Sequence, residues 1–196
     1  MRWTQDDVID AAFSTLEAEG LEGLSLRGVA RALGAHLNSV SWYVKTKRSL
    51  IDMMADTIVG TVDIGGLSRD PTERVRTIAE RYRAALLAHR DGGRLVAGTF
   101  NCTGKTLRVA NAIVAALLEA GCPEPDAARL CWSIVYFTLG ITQEQQMSPS
   151  DSQEPIQELF ESGDYPALSK VGEQLMVSDS FDRRFDYGIA RLLHVS

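Results

Sequence analysis

The chain has 196 residues and a net charge of −6, with 45% hydrophobic and 23% charged residues, an ordinary composition for a globular protein. No apolar run reaches the ~20 residues that cross a bilayer, and the N-terminus lacks a signal-peptide pattern, so we expect a cytoplasmic protein without membrane contact. The three cysteines have no CxxC spacing and the three histidines are scattered, so we expect neither a disulfide framework nor a metal site.

Apolar residues recur at helical spacing in the first third of the chain and predict four helices, over about residues 5–20, 26–33, 37–44 and 47–62. Hydroxyl side chains that can accept a backbone hydrogen bond precede three of them: Thr4, Ser25 and Thr46. Gly34 stops the second helix. Two short helices joined by a tight turn predict a helix-turn-helix.

The rest of the chain also favours helices, and no alternating strand pattern of useful length is present. A linker covers residues 63–71, and Pro71 suits the first turn of the helix that follows. Further helices are predicted over about residues 71–89, 104–120, 126–145, 165–177 and 180–194, with a break at 90–93 and a polar loop at 148–155. We therefore predict an all-α protein: a three-helix helix-turn-helix domain (1–46), a connecting helix (47–63) and a larger helical domain (64–196).

A basic segment stands out in this acidic chain. Residues 23–51 contain no Asp or Glu but five cations, which are Arg27, Arg31, Lys45, Lys47 and Arg48. A local basic face suits DNA phosphates, whose attraction acts over about 8–10 Å at moderate salt. A solvated basic helix face is the alternative, and charge alone does not decide between the two.

The second helix of a helix-turn-helix lies in the major groove with its N-terminal residues at the base edges. Its exposed positions here are Leu37, Asn38, Ser39 and Ser41, whereas Val40 and Val44 point inward. Asn38 can pair with adenine, and Leu37 can touch a thymine methyl group. Side chains placed for phosphate contact are Arg27, Tyr43, Lys45 and Lys47. The alternative is a three-helix core in some other all-α protein.

Residues 24–35, followed by 42–50, resemble the DNA-binding domain of the tetracycline repressor (TetR) family over roughly residues 4–55. Segments 84–93, 97–99 and 136–146 are similar to the effector domain of the tetracycline repressors themselves. The resemblance implies a repressor that binds a palindromic operator in double-stranded DNA as a homodimer and is released by a small-molecule effector. It implies DNA contacts at Arg27, Leu37, Asn38, Ser39, Trp42, Tyr43 and Lys47. Ser41 departs from the family, which usually has a phosphate-contacting tyrosine there.

The resemblance also implies an effector pocket in domain 64–196, reached by the connecting helix near Asp63. Its residues would be Asp63, Ile78, Tyr82, Val96, Thr99, Phe100, Ala110, Ile113, Cys131, Trp132, Val135 and Glu144. Val96 replaces the family's metal-coordinating histidine, and Ile78 and Ile113 replace polar contacts to the drug. Because valine cannot bind magnesium, we expect an apolar aromatic or polycyclic effector, and no metal or cofactor. For each aromatic side chain, ordinary core packing remains the alternative.

Helices 126–145 and 180–193 correspond to those that form the family's dimeric four-helix bundle. The second carries an apolar stripe: Phe181, Phe185, Ile189 and Leu192. A core helix packed within one chain would show the same stripe. Among other functions, an enzyme is disfavoured because no phosphate loop, nucleophile elbow or metal spacing is present. A helical protein-interaction scaffold is disfavoured by the basic segment, and an activator with the same helix-turn-helix stays open.

Overall fold

In the computed structural model, residues 3–99, 103–147, 165–171 and 180–194 are described, and all regular structure within them is helical. The helices are α1 (Gln5–Gly23), α2 (Leu26–Ala32), α3 (Leu37–Tyr43), α4 (Lys47–Gly60), α5 (Pro71–Leu87), α6 (Gly92–Ala97), α7 (Gly104–Glu119), α8 (Glu124–Met147), α9 (Pro166–Ser169) and α10 (Phe181–His194). The all-α prediction is confirmed. Within these ranges, no helix has the length and hydropathy required to cross a membrane.

Two helical segments differ from the sequence prediction. Helix α6 begins inside the glycine-containing stretch that was expected to be a break, and it was not predicted. Helix α9 covers only Pro166–Ser169 of the helix expected over 165–177, and a turn follows at residues 170–171. Residues 172–177 and the expected polar loop at 148–155 lie outside the described residues.

The caps predicted for the N-terminal helices are confirmed. Thr4, Ser25 and Thr46 each accept a hydrogen bond from the backbone N–H three residues later, at 3.2, 3.1 and 3.0 Å. Gly34 has a φ of 61°, a left-handed conformation that favours glycine, and it follows the end of α2. Local sequence signals therefore fix the ends of the short helices.

Helices α1, α2 and α3 form a small three-helix unit around side chains that are almost completely buried, which include Leu16, Val29 and Val40. Helix α4 packs against α1 and also against α5, α6 and α7. Its Leu50, Met54 and Ile58 recur at helical spacing and are fully buried. Burying such a side chain contributes roughly 1.5–3 kcal/mol, so α4 is firmly held by both parts of the molecule.

In the larger helical body, α5, α7 and α10 pack against α8. The apolar stripe of α10 faces this intrachain core, since Phe185 and Ile189 are buried there. The buried Arg83 of α5 donates hydrogen bonds to Asp182 Oδ1 at 2.7 Å and to Gln145 Oε1 at 2.6 Å. This arginine ties α5 to α8 and to the start of α10.

Candidate functional site

Helix α3 presents small and polar side chains on the molecular surface. Asn38 and Ser39 are exposed, Leu37 is 37% exposed and Ser41 is half-buried. Val40 is buried and fixes the orientation of the helix. The side chains expected to meet base edges therefore share an accessible surface.

Aromatic and basic side chains extend this surface beyond α3. Trp42 is 77% exposed, and Lys45 Nζ lies 5.9 Å from the centroid of its ring, within the range of a cation–π contact. Arg27 on α2 is also exposed. An exposed tryptophan beside a lysine offers both contact area and charge to a polyanion.

Two expected phosphate-contacting side chains are engaged within the protein. The Tyr43 hydroxyl donates a hydrogen bond to the carbonyl oxygen of Trp3. Lys47 Nζ donates to the carbonyl oxygens of Leu21 and Glu22, at 3.1 and 3.3 Å. Both groups brace the N-terminal unit.

A cavity of about 630 Å³ lies in the larger helical body, bounded by α4 to α8. This volume is within the roughly 300–1,000 Å³ that is usual for small-molecule sites. Eight residues expected in the pocket line the cavity: Tyr82, Val96, Thr99, Ala110, Ile113, Cys131, Trp132 and Val135. The family resemblance therefore located eight of the twenty residues that line the described wall.

The other four expected pocket residues do not appear in the described wall. Ile78 is completely buried in the core one helical turn before Tyr82. Asp63 is exposed in the linker before α5. Arg81 Nη1 of α5 donates a hydrogen bond to the Asp63 carbonyl oxygen at 2.8 Å and holds the linker against α5. Glu144 is exposed on α8, and Phe100 lies outside the described residues.

Twelve further lining residues were not anticipated: Arg48, Ala55, Val59, Ala97, Gly98, Thr106, Leu107, Val109, Val114, Ala128, Tyr136 and Leu139. Some could have been found from periodicity. Ala128 and Leu139 share a face of α8 with the expected Cys131 and Val135, at helical spacing. The residues of α4 reach the cavity only through tertiary packing, which no local sequence pattern indicates.

The buried polar groups in the wall are neutral. Burial raises the pKa of the Cys131 thiol and that of the Tyr82 phenol, so both keep their protons. Thr99 Oγ1 donates to the carbonyl oxygen of Val96 at 2.8 Å, which commits its hydroxyl hydrogen. Arg48 brings charge to the wall, but its side chain is 61% exposed and lies at the edge.

The wall does not fit the magnesium chelate that the family resemblance implies. Val96 lines the cavity with hydrocarbon only, and valine has no atom that binds a metal ion. Across the described ranges, no three His, Cys, Asp or Glu side chains are grouped as metal ligands. The described wall of this cavity is therefore predominantly apolar and lacks a group of metal ligands.

Arg48 connects the cavity wall to the first turn of α4. Its Nη1 donates to the carbonyl oxygen of Gly98 at 2.6 Å, and its Nε lies 3.2 Å from Asp52 Oδ1. Gly98 directly follows α6 and, like Val96, lines the cavity. A shift of α6 would therefore act on the end of α4 that is nearest to α3.

The C-terminal end of α1 also contacts the larger helical body. Gly20 has a φ of 71° and kinks the helix, and the following Leu21 N–H donates to Asp91 Oδ2 at 2.8 Å. Arg90 Nη1 donates to the carbonyl oxygen of Glu17 at 3.0 Å. The three-helix unit is thus held by α4 and by these contacts just before α6.

Exposed aromatic side chains border the cavity on α8. Trp132 and Tyr136 are 49% and 64% exposed, and their rings stack with centroids 5.3 Å apart. Leu107 of α7, also a lining residue, is 53% exposed. These three side chains mark the open side of the cavity.

Comparisons of the sequence and of the fold with known proteins all find tetracycline repressors or other TetR family proteins. Residues 67–194 match the family described as "Tetracyclin repressor-like, C-terminal domain". The chain is 30% identical to the tetracycline repressor protein class C of Escherichia coli over 194 residues, which cover 96% of this chain and 88% of that protein. It is 33% identical to a solved protein described as a "possible TetR family transcriptional regulator" from Streptomyces coelicolor A3(2), with a TM-score of 0.84 and 98% of each chain covered. The fold also matches that of Streptomyces coelicolor ActR in complex with actinorhodin, with a TM-score of 0.87, 23% identity and coverage of 100% and 97%.

Proposed function

The chain belongs to the TetR family of transcriptional regulators, which are not enzymes, and we propose that it is an operator-binding repressor released by a largely apolar, ring-containing effector. The observation that carries the proposal is a predominantly apolar cavity of about 630 Å³, with Val96 where the resemblance expects a metal ligand. The division into residues 1–46, 47–63 and 64–196 is part of this proposal.

The DNA-binding part of the proposal rests on the surface around α3. Asn38 and Ser39 offer hydrogen-bonding groups to base edges, and Arg27 and Lys45 offer charge to phosphates. Trp42 adds an exposed ring next to Lys45. Because one such unit contacts few base pairs, a dimer is needed to read two half-sites about one helical turn or somewhat more apart.

The dimer is proposed to form through the exposed faces of α8 and α10. The apolar stripe of α10 cannot serve, since Phe185 and Ile189 are occupied within the chain. Exposed aromatic groups remain available at Trp132, Tyr136 and Tyr187. A second copy docked there would also cover the open side of the cavity.

Release requires that the effector bind the DNA-free conformation better than the DNA-bound one. In place of the expected route through Asp63, the effector would act along α4 from its first turn to its last, where Arg48, Ala55 and Val59 line the cavity. A ligand that displaces these residues or α6 would tilt α4. The two α3 helices of a dimer would then lose their half-site spacing.

The proposal is tested with an operator selected from random duplexes and a screen of aromatic and polycyclic compounds, by fluorescence anisotropy. We expect dimeric binding that weakens steeply with salt, through counterion release. Release by an active compound should be the same in EDTA and in magnesium. Binding that does not change between low and physiological salt contradicts the DNA interface, and release only with magnesium contradicts the apolar, metal-free effector.

A reporter gene placed behind the selected operator separates a repressor from the activator alternative. A repressor lowers expression until the effector is added. An activator with the same helix-turn-helix raises expression when it occupies the operator.

A further inference from the structure

Among the described residues, the Tyr82 hydroxyl has no hydrogen-bond partner, although Tyr82 belongs to the wall of an apolar cavity. Tyr82 is only 5% exposed, and no hydrogen bond joins its hydroxyl to another group within residues 3–99, 103–147, 165–171 and 180–194. Within the described residues, the Tyr82 oxygen is not among the completely buried side-chain atoms that lack a hydrogen-bond partner, which indicates that it contacts open space. The cavity is the space that Tyr82 lines.

A buried tyrosine hydroxyl normally has a hydrogen-bond partner, because an unpaired one loses the bond that water would give it. The wall offers few candidates. The hydroxyl hydrogen of Thr99 is already committed to Val96, and Ile113 and Val109 present only hydrocarbon. Because no described residue supplies the partner, we assign it to whatever fills the cavity, which is water in the free protein and the effector in the complex.

We infer that Tyr82 is the polar anchor of the effector, and that the effector carries a neutral oxygen, as in a ring ketone or a phenol, placed to bond the Tyr82 hydroxyl. This inference rests on the proposed function and narrows its ligand class. A neutral oxygen is indicated because Arg48, the one charged residue in the described wall, is largely exposed and already contacts Gly98 and Asp52.

The chemistry of the phenol agrees with this role. Burial raises the pKa of Tyr82, so at neutral pH the group is protonated and donates as well as accepts hydrogen bonds. A ring ketone would accept the hydroxyl hydrogen. A pure hydrocarbon of the same shape would displace water without replacing its hydrogen bond, which leaves the hydroxyl unpaired.

The inference is tested with 9-fluorenone and fluorene. These tricyclic compounds have the same ring skeleton, but 9-fluorenone carries a carbonyl group where fluorene carries a methylene group. Their dissociation constants are measured by equilibrium dialysis against the full-length protein, without DNA. The wild-type protein and Tyr82→Phe are compared, since this substitution keeps the ring and removes only the oxygen. Tyr165→Phe is the matched control, because Tyr165 is 47% exposed and does not line the cavity.

The quantity compared is the ratio of the two dissociation constants in each protein, which cancels the difference in hydrophobicity between the compounds. We expect Tyr82→Phe to reduce the preference for fluorenone about fivefold to tenfold, and Tyr165→Phe to leave it unchanged. Equal ratios in the wild type and Tyr82→Phe overturn the anchor and leave the proposed function intact. If neither compound binds the wild type, both the ring-ligand proposal and the anchor fail.

Discussion

The contact between Arg48 and Gly98 predicts a variant in which effector binding is separated from DNA release. Arg48→Ala removes the 2.6 Å hydrogen bond to the Gly98 carbonyl oxygen and the contact to Asp52. A hydrogen bond from a charged donor contributes up to about 3 kcal/mol, but this side chain is 61% exposed, so a value of about 1 kcal/mol applies. Since 1.4 kcal/mol corresponds to tenfold, the coupling between effector and operator should fall about fivefold.

The coupling is measured as the ratio of operator dissociation constants with and without saturating effector, by fluorescence anisotropy. The effector is any compound that releases the wild-type protein. Arg94→Ala is the matched control. Arg94 of α6 forms an ion pair with Glu22 of α1 but does not line the cavity. We expect the control to keep the wild-type ratio. An unchanged ratio in Arg48→Ala, or an equal loss in both variants, would refute transmission through Arg48.

Two further predictions concern base reading and packing. Asn38→Ala should relax base preference by about 1–3 kcal/mol at one position of each half-site, whereas Lys45→Ala should weaken binding equally on all sequences. Identical selectivity profiles over a library of operator variants would contradict this assignment. Gly92→Ala would place a Cβ 2.1 Å from the carbonyl oxygen of Leu86 and should lower the free energy of unfolding by about 3 kcal/mol in urea titrations. Gly98→Ala meets no atom closer than 3.5 Å and should change it by less than about 0.5 kcal/mol, so comparable losses would contradict the packing argument.

The sequence predicted the parts of the fold that depend on local chemistry. The caps at Ser25 and Thr46 and the stop at Gly34 are decided by hydrogen bonds and dihedral angles within a few residues. Helix α6 was missed because its first residues, Gly92 and Gly93, disfavour a helix. Both are buried, and packing of α6 against α8 overrides the local preference.

The residues of the candidate site were predicted less completely than the helices of the fold. Residues transferred from the family resemblance found eight of the twenty residues of the cavity wall, including Tyr82 and Val96. The transfer also placed Ile78 in the wall, but its side chain is buried in the core instead. Arg48 was interpreted only as part of a basic segment, since its approach to Gly98 joins residues 50 apart in sequence and has no local signal.

The kinked end of α1 has a consequence for building chimeric sensors from this protein. A foreign DNA-binding domain, here called the head, could be fused at the start of α4. That fusion point separates the end of α1 from the residues before α6 with which it forms hydrogen bonds. Glu17 and Leu21 would go with the head, while Arg90 and Asp91 stay with the sensor. A transplanted head therefore has to bring a compatible α1 terminus, or the recipient loop before α6 has to be rewritten to match it.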